Sequence, residues 1–307
     1  MPALLALTLF TASAWYLTRR FEWQPAFDHL LRTDFVRLVI LVSLVHFAYI
    51  CVRTWRWRIM VRHVNPEVGL MDLYWITAVV VSLAILTPGQ LGEALKIELL
   101  SRRGLVGRLP GLGAFALERI MDLLALSGMG LAGLLFGSGL AERYPGLEKG
   151  VGLLLLAGLL ALYLLLHFRP GGRVAHWLEK IRAGSGTPAI RIKTALLTLL
   201  AWLLIGAGWQ ISLQAVDIHL ALPEIIWLIA LVTLGSLLSF IPGGLGVAEV
   251  LTVEALVDIG VSPLTAQAGA LILRAYALIL ILFGLVHLLL WLSCWIPIRS
   301  RCRDSTN

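Results

Sequence analysis

Apolar residues gather in long runs along this chain, at roughly 2–17, 35–52, 70–87, 111–140, 150–168, 194–216, 221–241 and 265–296. The signal is one of long runs rather than short alternating stretches, so helices are predicted and a membrane β-barrel is not. A helix of about 20 apolar residues crosses the hydrocarbon of a bilayer. The pattern therefore predicts an all-α, polytopic membrane protein with about eight hydrophobic runs. The runs at 111–140 and 265–296 are long enough to span with tilt.

Two of these runs are broken in the same way. Ser82 to Leu95 and Ser236 to Glu249 align without gaps and match at seven of fourteen positions. Each carries a Pro-Gly pair, Pro88-Gly89 and Pro242-Gly243, followed by a moderately apolar stretch, 90–101 and 244–258. Pro and Gly together stop a helix, and irregular backbone at membrane depth survives only inside protein or beside a cavity. Residues 70–101 and 221–258 are therefore expected to be re-entrant helix–break–helix hairpins, each entering and leaving on one side. The competing expectation is an ordinary surface turn between full spans. An arginine inside an apolar run follows each proline by 31 or 32 residues, Arg119 and Arg274. Paired breaks in two halves of a chain point to a transporter-type site.

The expected organisation is one integral membrane domain over 1–307. N-terminal helices occupy 1–69, repeat one 70–140, connecting helices 141–220, repeat two 221–296, and a basic tail 297–307. Segment 173–182 places Val174, Trp177, Leu178 and Ile181 on one face, as an amphipathic helix on the cytoplasmic leaflet would. Ala183-Gly-Ser-Gly-Thr-Pro188 after it is expected to be a flexible link. At the N-terminus, Leu4–Phe10 and Ala12-Ser13-Ala14 have the layout of a signal-peptide core and cleavage site. No basic residue precedes them and Arg19-Arg20 follows, so a retained first membrane helix is expected.

Composition agrees with a membrane protein: 59% of the 307 residues are apolar and 14% charged. The net charge of +7 is assigned to loops facing anionic lipid rather than to nucleic-acid binding. With both hairpins re-entrant and both termini cytoplasmic, sixteen basic residues, Arg53, Arg56, Arg58 and Arg62 among them, fall in cytoplasmic loops against five outside. That bias fits the positive-inside rule. It also makes the two repeats inverted, one hairpin opening to each side. Trp15, Trp55, Trp57, Trp291 and Trp295 lie near run ends, where an interfacial belt is expected. Three scattered cysteines argue against a disulfide framework or zinc site, and neither metal nor cofactor is expected.

Charges inside a span cost about 2.5–3.5 kcal/mol each on insertion scales. Glu118, Arg119 and Asp122 must therefore pair, face a cavity or reach the surface. They read either as a neutralised structural cluster or as an anion site with Arg119 as donor. Arg274 has no acid within a turn of its own run, so Glu249 or Glu254 is its nearest candidate partner. A guanidinium suits phosphate because its planar fork donates two parallel hydrogen bonds. Helices restarting after each break are expected to point free N–H groups into it, favouring an anion. Gly89, Gly92, Gly243, Gly244 and Gly246 allow close approach of backbone or ligand, although Gly92 and Gly246 read equally well as packing residues. Glu93 and Lys96 form an i,i+3 pair, surface-like or a gate. No catalytic residue set converges, and the chain is not expected to be an enzyme.

Thr87-Pro-Gly-Gln-Leu-Gly-Glu93, Glu118-Arg-Ile-Met-Asp122 and Pro242-Gly-Gly-Leu-Gly-Val-Ala-Glu249 resemble the membrane region of lysylphosphatidylglycerol synthases. That region is the flippase part of the multiple peptide resistance factor, and the motifs equally resemble its stand-alone relatives. The resemblance spans nearly the whole chain. It implies movement of lipid between leaflets, the cargo being aminoacylated phospholipid in the best-known member and polyprenyl-phosphate-linked sugars or hopanoids in others. The chain stops at Asn307, about where an aminoacyl-transferase domain would begin, so it is not expected to synthesise lysylphosphatidylglycerol. Gln90 replaces a basic residue often seen in the family, which shifts the expected headgroup preference.

The expectation from sequence is an inner-membrane flippase for lipids with an anionic phosphate headgroup, either phospholipid or polyprenyl-phosphate-linked sugar. Its binding residues would be Pro88, Gly89, Gly92, Glu93, Lys96, Glu118, Arg119, Asp122, Pro242, Gly243, Gly244, Gly246, Glu249 and Arg274. The alternative is a non-catalytic membrane scaffold for a lipid synthase or glycosyltransferase. Expected partners are membrane lipids, with such a synthase or a second copy of the chain as further candidates.

Overall fold

The computed structural model describes residues 2–137, 140–168 and 173–295, and the basic tail lies outside them. Among these residues there are helices and no strands. In chain order they are α1 (Pro2–Arg19), α2 (Trp23–Leu30), α3 (Phe35–Val61), α4 (Leu70–Ala84), a 3-10 turn (Pro88–Ala94), α5 (Leu95–Arg102), α6 (Arg108–Phe136), α7 (Leu140–Arg143), α8 (Leu147–His167), α9 (Arg173–Ala183), α10 (Pro188–Gln214), α11 (Leu222–Ser239), a second 3-10 turn (Pro242–Gly244), α12 (Val247–Asp258) and α13 (Pro263–Leu290). Six of them, α3, α6, α8, α10, α11 and α13, are long and apolar enough to cross a membrane. α4 is apolar but short, and α1 is not among the six. The chain is thus an all-α, multi-pass membrane protein. Leu153, Leu156 and Leu160 of α8 stand exposed, as lipid-facing side chains do.

Start signals are where elementary chemistry puts them. Thr187 and Ser262 cap α10 and α13, each with its hydroxyl accepting from the backbone N–H three residues on, and each followed by proline. Such caps satisfy otherwise orphaned donors. Helices approach closely where a side chain is missing. A Cβ on Gly133 of α6 would lie 2.6 Å from Trp227 Cβ and 2.8 Å from the Pro223 carbonyl of α11. Small residues at such crossings are a common device of membrane helices.

Long-range bonds define two ends. At one end, the Asn65 amide donates to the Leu105 carbonyl at 2.9 Å, tying the α3–α4 link to the α5–α6 link. At the other, Thr33 donates to Ala215 at 3.1 Å, Gln267 bridges Arg20 and Glu22, and Tyr144 donates to Asp258. α6 runs between these ends. The unit α4–turn–α5 therefore starts and finishes at the first end. The unit α11–turn–α12, between the 215–221 link and Asp258, starts and finishes at the second.

Three expectations are corrected. Helix α3 does not stop near residue 52: it continues to Val61 and carries Arg53 and Arg56 into the interior, 4% and 0% exposed. No Gly or Pro lies between Phe35 and Val61, so nothing breaks the helix. Without these two, the loop tally becomes fourteen against five, still a basic excess. Trp57 and Trp291 are buried rather than interfacial, whereas Trp15 and Trp55 are exposed. The side chain of Trp295 lies outside the described residues. The link after α9 is packed, not loose: Ser185 is 2% exposed, and a Cβ on Gly184 would lie 1.9 Å from the Pro110 carbonyl. Helix α9 itself is present, with Trp177 exposed, but the side chains of Arg173 to His176 lie outside the described residues.

Candidate functional site

The two Pro-Gly turns share one backbone solution. Gly89 and Gln90 have φ/ψ of 55/21° and 55/28°, and at the aligned positions Gly243 has 60/10° and Gly244 a φ of 60°. Three of these four residues are glycine, for which left-handed backbone is cheap; Gln90 is the exception and lies on the cavity wall. The turns face one another. A Cβ on Gly89 would meet Phe240 Cδ1 at 3.7 Å and the Leu237 carbonyl at 3.8 Å, and one on Gly243 would meet the Ile85 carbonyl at 3.5 Å.

A cavity of about 200 Å³ lies between them. α3 contributes His46, Tyr49, Arg53 and Arg56; the first turn Gly89, Gln90 and Glu93; α6 Arg119 and Asp122. Opposite them stand Gly243 and Gly244 of the second turn, Glu249 of α12, and Arg274 and Tyr276 of α13. Trp202, Ile205 and Trp209 of α10 and Leu237 of α11 supply apolar wall.

Behind the first turn is a buried ionic network. Glu118, 0% exposed, accepts from Arg53, from Arg56 at 2.5 Å, from the Trp57 indole at 2.6 Å and from Lys96 at 3.0 Å. Glu93 accepts from Arg53 at 2.7 and 3.1 Å, from Lys96 at 3.1 Å and from Arg119 at 3.0 Å. Asp122 meets Arg56 at 2.9 Å and Arg119 at 2.7 Å. Arg56 also donates to the buried Thr198 hydroxyl at 2.6 Å. The network holds four basic groups and three acids. Pairing of this density is what makes burial of such charges tolerable.

The second turn has a smaller copy of this arrangement. Arg274 Nε and a terminal nitrogen reach Glu249 Oε1 at 2.6 and 2.5 Å, and its other terminal nitrogen donates to the Gly243 carbonyl at 2.9 Å. Each arginine thus grips an acid just past its own repeat's break, Arg119 to Glu93 and Arg274 to Glu249. Glu254 instead accepts from Tyr16 at 2.5 Å.

Of the residues singled out from sequence, Gly89, Glu93, Arg119, Asp122, Gly243, Gly244, Glu249 and Arg274 line the cavity. Lys96 and Glu118 stand behind its wall, so the Glu93–Lys96 pair is not surface-like: both are 1% exposed. Pro88 and Pro242 start the turns and are themselves exposed. Gly92 and Gly246 are packing residues, with Cβ positions 2.8 Å from Thr87 and 2.7 Å from Ser13. Their N–H groups do not point free into the breaks. Gly92 donates to the Thr87 hydroxyl and Gly246 to Glu249, both at 2.8 Å. Arg53 and Arg56 escape a reading by apolar runs, because four arginines crowd residues 53–62 and close the run there. Their i,i+3 spacing, in phase with buried Ile50 and Met60, is the signal that marks an inward face.

A many-helix membrane bundle with an ion-lined cavity between two facing breaks defines the class: a polytopic membrane protein with an internal polar site. The chain belongs to the family of the lysylphosphatidylglycerol synthase transmembrane region, whose family model matches residues 3–284. A comparison with curated proteins finds no match. Family membership makes this a lipid-related membrane protein.

Proposed function

We propose that the protein is an inner-membrane flippase for lipids with an anionic phosphate headgroup, with both termini cytoplasmic. The two broken units act as re-entrant hairpins of an inverted repeat, opening to opposite faces. The headgroup enters between the turns while its chains stay in lipid, and access alternates as one repeat rocks against the other. This is transport rather than covalent chemistry on the headgroup.

One observation carries the reading. Between the facing turns, basic groups outnumber acids, and Arg119 keeps 32% of its side chain exposed while meeting Glu93 and Asp122 through one terminal nitrogen. A planar fork left part-free at a cavity suits a phosphate oxygen. Reconstituted vesicles with fluorescent-tailed phosphatidylglycerol test it. The wild-type chain is expected to expose inner-leaflet lipid to an external quencher, and Arg119→Gln to slow this at least tenfold with the protein still monodisperse. Wild-type vesicles no faster than protein-free ones, for phospholipid and polyprenyl-phosphate lipid alike, overturn the proposal.

A further inference from the structure

We infer that the cavity accepts a headgroup with a single phosphodiester and no amine, so that an aminoacylated phospholipid is not its preferred cargo. The inference rests on the lipid-binding reading above and narrows it.

Charge comes first. Adding the Arg274–Glu249 pair to the network gives five basic side chains against four acids, a net surplus of one positive charge around the cavity. A phosphodiester carries one negative charge and matches it. A diphosphate exceeds it, and a lysyl ester, with two ammonium groups, adds to the positive excess.

Hydrogen-bonding capacity points the same way. An ammonium group is donor-only and needs acceptors. All four carboxylates here are engaged at both oxygens. Glu93 and Glu118 are shared among Arg53, Lys96 and other donors. Asp122 gives one oxygen to Arg56 and the other to Arg119, at 2.9 and 2.7 Å. Glu249 holds Arg274 with one oxygen and the Gly246 N–H with the other. An entering amine would find a donor already on every carboxylate oxygen and would compete with the guanidiniums for it. Donors, by contrast, are in excess. Arg119 stands part-exposed on the wall and meets Glu93 and Asp122 through one terminal nitrogen, which leaves the rest of its fork to an acceptor. A phosphodiester supplies acceptors and brings no donor, and hydroxyls of a glycerol or sugar can meet the Tyr49 hydroxyl and Gln90 on the wall.

The test measures binding and transport separately on the full-length protein. Native mass spectrometry of the detergent-purified chain, at equal lipid concentration, compares phosphatidylglycerol, phosphatidylethanolamine and lysylphosphatidylglycerol. Fluorescent-tailed versions are then followed in vesicles. Phosphatidylglycerol is expected to bind about tenfold tighter than either amine-bearing lipid, a ratio equal to about 1.4 kcal/mol. Arg119→Gln should bring the ratio near one. Asp122→Asn, which adds one positive charge to the balance, should widen it, and Arg119→Lys should keep its direction if Arg119→Gln does not fold. Equal or tighter binding of lysylphosphatidylglycerol overturns the inference, as does a preference that ignores both Arg119 and Asp122. A preserved preference without transport removes the flippase reading alone, equal transport of all three lipids removes the specificity alone, and no lipid binding removes both.

Discussion

Glu118 is the residue on which the buried network converges, because its two oxygens hold four donors from two helices, three on α3 and Lys96 on α5. Removing its charge would leave Arg53, Arg56 and Lys96 underpaired where water does not reach. Loss of one partner from a buried ion pair costs about 3–5 kcal/mol, so Glu118→Gln is expected to destabilise the fold by that order, read as a lowered Tm in detergent. An unchanged Tm would show that the network is dispensable for stability. Thr198→Val probes a single bond of the same network. A hydrogen bond to a charged group contributes about 1.5–3 kcal/mol, and the loss should be smaller than for Glu118→Gln and absent when Arg56 is also replaced by Leu, as a double-mutant cycle would report.

At the level of elements, the two turns give opposite predictions from one backbone geometry. Gln90 occupies left-handed space at a φ of 55°, where a side chain costs about 1–2 kcal/mol. Gln90→Gly should therefore stabilise the protein, and Gly243→Ala, at a φ of 60°, should destabilise it by a similar amount. Unfolding in mixed detergent–denaturant series checks both signs, and shifts in the same direction would contradict the shared geometry. These turns were legible in the sequence because Pro-Gly pairs leave a local mark, and the matched spacing to Arg119 and Arg274 left a second. The partners of those arginines were only half legible. Glu249 was within reach of a repeat-based argument, whereas Arg53, Arg56 and Trp57 were hidden by assigning them to a loop. Run length measures apolarity, but a helix ends only where its backbone is broken or capped. Likewise, one N–H at each restart is taken by a neighbouring side chain, Gly92's by Thr87 and Gly246's by Glu249, since side chains compete for such donors wherever their geometry allows.

On the scale of the whole molecule, each unit starts and finishes at its own end of the bundle, and the proposed topology puts those two ends on opposite faces of the membrane. In a chain with its native cysteines replaced by serine, Arg102→Cys is expected to react with an impermeant thiol reagent only from the cytoplasmic side, and His219→Cys only from the outside. Both positions are exposed. Labelling of both from one side would remove the inverted arrangement. The ionic network also bears on how the protein is made. Arg53 and Arg56 lie 40 to 66 residues ahead of Glu93, Glu118 and Asp122 in the chain, so α3 leaves the ribosome with two arginines and none of their counter-charges. Held alone in hydrocarbon, each costs about 2.5–3.5 kcal/mol. The charged end of α3 must therefore wait near the water interface until α6 arrives, and the order of synthesis makes the second half of the first repeat the step that seats the helix before it.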